Sequence, residues 1–224
     1  VTAEAFGTPN IFGKDSLYNE YTHKGQSLAI PGTILISAIG IVEDKNKTVT
    51  MDLKKAGNSI YIVGETFNEL GGSIYLANDN QLGQQVPKVN FKKALKIYQA
   101  IEKANKAGLI ESAHDASEGG LAVALAEMAF AGGLGLTAFT KNIPYKSKER
   151  REDIVLFSES NSRLVVEVAP KNEQKFKALF KGLAVAKIAT VEATPQMIVY
   201  GFKDQVIINA DIFDLKNIWQ TPLR

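Results

Sequence analysis

The chain has 224 residues, 45% of them hydrophobic and 22% charged, enough to bury one full core and part of a second in a globular, soluble protein. Twenty-six basic against 24 acidic residues leave a formal charge of +2, which argues against a nucleic-acid or anionic-membrane partner. The absence of cysteine excludes disulfides, thiol catalysis and thiolate metal sites, two histidines fall short of a zinc cluster, and no apolar run approaches the roughly 20 residues that cross a bilayer. The expected compartment is the cytoplasm.

The chain opens on Val1, and Thr2 to Phe6 reads as the end of a helix already under way, as in a fragment. Ile11-Phe12 then gives way to the tight polar loop Gly13-Lys14-Asp15-Ser16. This is phosphate-binding chemistry without the second glycine of a P-loop, and an ordinary turn fits it too. Thr33 to Val42, TILISAIGIV, is almost continuously apolar and β-branched, which predicts a strand buried on both faces. A polar turn follows. A domain boundary belongs there, with 1–47 as one part and 48–224 as a complete α/β unit.

The second part opens with strands predicted at Thr48 to Leu53 and Ile60 to Val63, followed by Gly71-Gly72-Ser73, a pattern that suits close backbone approach. Asn90 to Ala107 has the spacing of an amphipathic helix, with Ala94, Leu95, Ile97, Tyr98 and Ile101 inward and Gly108 as its stop. Leu109 to Ala113 predicts a short strand delivering a polar turn at its C-terminal end, the usual place for ligand groups in α/β folds.

That turn holds the most informative residues. His114, Asp115, Ser117 and Glu118 run through Gly119-Gly120 into an Ala/Leu-rich helix whose inward stripe is Leu121, Leu125 and Met128. The first turn of a helix offers unpaired N–H groups and the positive end of its dipole, so an anion suits the position. Ser117 is placed to cap the helix, and Asp115 to be stabilised there or to hold a divalent cation bridging to phosphate. Plain capping accounts for the same residue types. Glu127 interrupts the apolar surface and reads as an exposed helix glutamate.

Beyond a Gly132-Gly133 turn come a strand at Leu134 to Phe139, a polar stretch with a short helix, and FSESNSRLVVEV. Its Glu159, Asn161 and Arg163 precede a strand at Leu164 to Val168, where they suit either a polar substrate or an internal salt bridge. A helix at Lys171 to Lys181, strands at Val185 to Val191, Met197 to Tyr200 and Val206 to Asn209, and a last helix with Leu215 and the lone Trp219 as a lid on the core complete the chain.

HDASEGGLAVALAEMA, together with FGKDSLYNE, PGTILISAIGIVED, ELGGS and FSESNSRLVVEV in that order, resembles formylglycinamide ribonucleotide amidotransferase (phosphoribosylformylglycinamidine synthase), in the C-terminal half of its synthetase region. The resemblance spans almost the whole chain. It implies an α/β domain, a mixed sheet with flanking helices, of the aminoimidazole ribonucleotide synthetase C-terminal type, preceded by a remnant of the second ATP-binding domain. The implied enzyme is a ligase of purine biosynthesis that uses ATP and Mg²⁺ to activate the formyl amide oxygen of formylglycinamide ribonucleotide, and then ammonia from a separate glutaminase to form the amidine.

Residue by residue, the resemblance implies that Gly13 contacts ATP and Ser16 the substrate phosphate. Lys14 stands where the short form of the enzyme has a Mg²⁺-binding asparagine, and Gly-Lys-Asp-Ser is closer to the long single-chain form. Asp115 and Ser117 match positions that hold the Mg²⁺ and phosphate of a second, structural nucleotide. The catalytic histidine belongs to the first half of the synthetase and matches neither His23 nor His114, so this chain alone is expected to be inactive. Two other readings are a sister ATP-dependent synthetase or kinase, such as aminoimidazole ribonucleotide or selenophosphate synthetase, and a non-catalytic nucleotide-binding or structural domain.

Overall fold

A computed structural model describes residues 2–14 and 19–223. The chain divides into two compact units, residues 1–45 and 46–224. The first unit contains helix α1 (Thr2–Phe6) and a hairpin of β1 (Glu20–His23) and β2 (Gln26–Ala29). Lys24 and Gly25 between the strands have φ of 49° and 78°, the pair of left-handed residues that a two-residue type I′ turn requires.

The apolar run at residues 33–42 is not the doubly buried strand its composition predicts. No regular element forms there, and Ile39 is 94% exposed. A strand is buried on both faces only between neighbouring strands and two covering layers. Among the described residues of this unit the sheet is the β1–β2 hairpin alone.

The second unit runs β3 (Ser59–Val63), α2 (Ile74–Ala77), α3 (Phe91–Lys106), β4 (Ser112–Asp115), α4 (Gly120–Gly132), β5 (Gly135–Phe139), α5 (Glu152–Phe157), β6 (Leu164–Val168), α6 (Glu173–Leu179), β7 (Val185–Glu192), β8 (Gln196–Tyr200), β9 (Val206–Asp211) and α7 (Ile212–Gln220). Seven strands form one sheet in the order β4-β6-β3-β7-β5-β8-β9, antiparallel except for the parallel β5–β8 pair. This is the mixed sheet with flanking helices that the sequence predicts.

Alternation along β3 assigns the two faces. Ile60 and Ile62 point into the larger core with Leu121, Leu125 and Met128 of α4. Tyr61 and Val63 point the other way, into a core with Ile97, Ala100 and Ala104 of α3 and Phe176 of α6. All five residues of β3 are buried, as expected of a central strand covered on both sides. Asn90 caps α3, its side chain accepting from the Lys93 N–H at 3.1 Å, and Gly108 at φ 64° ends it. Tyr98 does not enter the core as its spacing predicts. It is 43% exposed, with its hydroxyl donating to Ser162 Oγ at 3.3 Å.

Residues 48–53 form no strand. The backbone donors around their end go elsewhere, Leu53 N–H to the Met128 carbonyl at the end of α4 and Lys54 and Lys55 N–H to Glu167. Glu167, on β6, is fully buried and accepts four bonds: Lys54 N at 2.8 Å, Lys55 N at 3.1 Å, Asn58 Nδ2 at 2.7 Å and Ser112 Oγ at 2.9 Å. One carboxylate therefore ties the 54–58 loop to the edge strand β4. In place of a ladder, residues 48–53 make isolated backbone bonds, Leu53 N–H to α4 and the Thr50 carbonyl from Ala113 N–H of β4 at 3.1 Å, and Glu167 holds the residues that follow.

Glu167→Gln presents an amide N–H₂ to donors that need an acceptor. The expected loss is about 2–4 kcal/mol in urea unfolding, and an unchanged midpoint would show that the four bonds do not hold the loop.

Candidate functional site

β4 ends at Asp115, so His114 and Asp115 lie within the strand and not in the turn after it. The chain then turns through Ala116, Ser117 and Glu118 to Gly119 and Gly120, both left-handed at φ 74° and 67°. A Cβ on Gly120 would lie 2.7 Å from the Ser158 carbonyl oxygen and 2.8 Å from that of Leu156. Glycine is required here on two counts, conformation and space.

The two left-handed residues delay the helix to Gly120 and leave Ser117 outside it, so Ser117 is not the N-cap. Its backbone carbonyl accepts from Gly120 N–H at 3.0 Å, while its hydroxyl donates to Asp115 Oδ2. The cap position falls on Gly119, which has no side chain to offer. Glu159 fills the role from a distance: its Oε1 accepts from Gly119 N–H at 2.9 Å and from Ile74 N–H, the first residue of α2, at 3.1 Å. An internal carboxylate thus already meets the positive end of α4.

The loop carrying Glu159 is held from within by Arg163, which is 2% exposed. Its Nε donates to the Ser160 carbonyl at 2.9 Å, its Nη1 to Thr66 Oγ1 at 2.9 Å, and its Nη2 to the Ser158 carbonyl. This is neither the substrate-binding guanidinium nor the salt bridge open from the sequence, because the loop folds its own carbonyls around the charge. Burial pushes the guanidinium down to about 10, with Glu69 and Glu159 acting in the opposite direction. The Ser158 and Ser160 hydroxyls accept from the Glu69 and Phe67 N–H groups at 3.3 and 3.0 Å, tying the same loop to the segment after β3.

Between this loop and the β4–α4 turn lies a cavity of about 490 Å³, lined by Asp115, Ser117, Glu118, Glu159, Asn161 and Tyr98 among others. Asp115 faces it with 64% of its side chain exposed. The Ser117 hydroxyl, against the effect of partial burial and with help from its own backbone and His114, holds the Asp115 carboxyl below the usual carboxylate range. Asp115 therefore offers a charged, accessible oxygen pair. Among the described residues no three His, Asp or Glu side chains gather to hold a metal; a Mg²⁺ at this cavity would take one carboxylate from Asp115 and the rest of its shell from phosphate and water.

Of the other predicted residues, Gly13 and Lys14 are exposed in the first unit, and Ser16 lies outside the described residues. Glu127 is not the exposed helix glutamate expected. Its side chain is 20% exposed, with Oε2 2.9 Å from His114 Nε2 and Oε1 accepting from Trp219 Nε1 at 3.0 Å. Trp219 is half exposed and packs against Phe130 at 5.7 Å between ring centroids. Sequence reasoning missed this trio because its members are 13 and 92 positions apart; the one signal was a glutamate in an otherwise apolar helix.

A family model described as AIR synthase related protein, C-terminal domain, matches residues 55–201. The phosphoribosylformylglycinamidine synthase subunit PurL of Alkaliphilus metalliredigens (strain QYMF) is 36% identical over 221 residues, 97% of this chain and 28% of that protein. The PurL subunit of Deinococcus radiodurans is 34% identical over 226 residues, 98% of this chain and 30% of that protein. The chain thus spans under a third of the length of these curated relatives. Thermotoga maritima PurL complexed with FGAR superimposes with a TM-score of 0.68 at 21% identity, covering 76% of this chain and 30% of that one. E. coli HypE, a hydrogenase maturation protein, gives 0.54 at 16% identity over 74% of this chain and 52% of its own. At these identities the superpositions establish a shared fold.

Gly120→Ala should destabilise the second unit by about 2 kcal/mol or more, since a left-handed alanine is strained and its Cβ meets two carbonyl oxygens. Gly133, also left-handed but with open space around its Cβ position, is the control. Gly133→Ala should cost only about 1–2 kcal/mol, and equal losses at both sites would remove the steric argument.

Proposed function

Because the chain belongs to the family of AIR synthase related C-terminal domains, we propose that it is the closing portion of an ATP-dependent phosphoribosylformylglycinamidine synthase of purine biosynthesis. The whole enzyme phosphorylates the formyl amide oxygen of formylglycinamide ribonucleotide from ATP and then admits glutamine-derived ammonia, which displaces the phosphate to give the amidine. The remaining synthetase, with the catalytic histidine, and a glutaminase are its partners. The expected compartment is the cytoplasm; among the described residues no helix is long and apolar enough to cross a membrane.

In this reading Asp115 holds Mg²⁺ and Ser117 contacts a phosphate oxygen of a bound nucleotide, at the cavity where β4 gives way to α4. The observation that carries it is the Asp115–Ser117 pair, joined by a hydrogen bond and open to the cavity on a turn whose backbone only glycine can follow. Bound Mg²⁺ offsets phosphate charge. This chain's residues contribute an exposed carboxylate, a Ser117 hydroxyl whose single O–H serves either Asp115 or a phosphate oxygen, and a rigid turn that fixes both. Gly13 and Ser16 are assigned to ATP and substrate phosphate contacts respectively, and Lys14, an ammonium, is unsuited to a metal. The exposed apolar run at residues 33–42 fits a strand of an ATP-binding domain larger than the unit described.

Calorimetric titration of the chain with Mg-ADP tests the site. Binding should be measurable, should weaken about 10- to 100-fold in Asp115→Asn as one charge-assisted contact is lost, and should vanish with EDTA present. Absence of heat at millimolar nucleotide would reduce Asp115 and Ser117 to turn residues.

A further inference from the structure

The cavity has a second feature that the nucleotide reading does not use. Asp115 is the last link of a chain of polar contacts that crosses three secondary elements. Trp219 Nε1, on α7, donates to Glu127 Oε1 at 3.0 Å; Glu127 Oε2, on α4, lies 2.9 Å from His114 Nε2; His114 Nδ1, on β4, lies 3.2 Å from Asp115 Oδ1. Ser117 closes the far end on Asp115 Oδ2. Successive strand residues normally point to opposite faces, so the His114–Asp115 contact depends on the chain turning at the last residue of β4.

Each member is constrained from two sides. Each imidazole nitrogen has a carboxylate oxygen within reach of an N–H, Nδ1 that of Asp115 and Nε2 that of Glu127. Both Glu127 oxygens are engaged, and the indole that engages one is packed on Phe130. His114 and Glu127 side chains are only 17% and 20% exposed, whereas Asp115 at the end is 64% exposed. A rigid, half-buried relay therefore terminates in an accessible carboxylate at the cavity mouth.

We propose that His114 and Glu127 are positioning residues, which hold the Asp115 carboxylate in the orientation that takes a divalent cation and its nucleotide phosphate, and that Trp219 anchors the relay to the C-terminal helix. The proposal rests on the reading of Asp115 as a cation-binding group. Partners behind a ligating carboxylate commonly set metal affinity by a factor of about 10–100.

Trp219 is the single tryptophan of the chain, so its emission reads the relay directly. In the wild-type chain, Mg-ADP should change that emission with the midpoint found by calorimetry. Glu127→Ala should weaken Mg-ADP about 10- to 100-fold and abolish the emission change. Glu127→Gln should restore both, because its carbonyl can serve the indole and its amide the ring.

A purely structural Glu127 would instead lower the unfolding midpoint in Glu127→Ala and leave affinity for Mg-ADP untouched, which overturns the proposal. So does a wild-type chain that binds Mg-ADP with no change in Trp219 emission. If the wild-type chain binds no Mg-ADP, or Asp115→Asn binds it equally well, the reading of Asp115 itself falls and the proposal with it.

Discussion

The site depends on a buried positive charge. Arg163 sits at the entrance to β6 with its guanidinium enclosed by the loop that precedes it, and it takes two carbonyls of that loop and the Thr66 hydroxyl as acceptors. Taking a cation out of water is costly unless its donors are met, so the loop cannot relax without exposing an unsatisfied charge. This fixes Ser158 to Ser162 against the β4–α4 turn: Arg163 supplies the carbonyl that accepts Ala116 N–H, and Ser158 supplies one that a side chain at Gly120 would strike. Glu159, carried by the same loop, then reaches the mouth of α4.

Two buried charges divide the work in the second unit. Arg163 gathers the segments around the cavity, and Glu167, four residues along, gathers the loop at 54–58 and the edge strand β4. Among the described residues neither makes a direct ion pair, and both are satisfied largely by backbone or small polar groups. Their effect is to define position: the sheet provides a stable platform through apolar burial on both faces, and these two side chains decide where its connecting loops lie. Asp115 is then left accessible while its neighbours are held, which suits a ligand group.

Much of the fold was legible from periodicity. The α4 stripe of Leu121, Leu125 and Met128 and the apolar runs of β3 and of β6 to β8 follow from apolar spacing alone, because burial acts locally on each element. Errors occurred where backbone groups found partners other than a ladder. Residues 48–53 make isolated backbone bonds, Leu53 N–H to α4 and the Thr50 carbonyl from Ala113 N–H, the Lys54 and Lys55 donors beyond them go to Glu167, and residues 33–42 carry strand composition without strand neighbours. Ser117 was a reasonable cap by residue type, yet Gly119 and Gly120 shift the helix start beyond its reach.

The amino-acid sequence by itself determined most of the helices and strands of the second unit and the ordered motifs that place the chain in its family, since these depend on neighbours in sequence. Only the tertiary structure decided that Glu159 caps α4, that Arg163 is locked among carbonyls, and that Trp219, Glu127, His114 and Asp115 form one line of contacts. Those pairings join residues from separate elements, and a hydrogen bond is a matter of a few tenths of an ångström and a direction, neither of which spacing along a chain can specify.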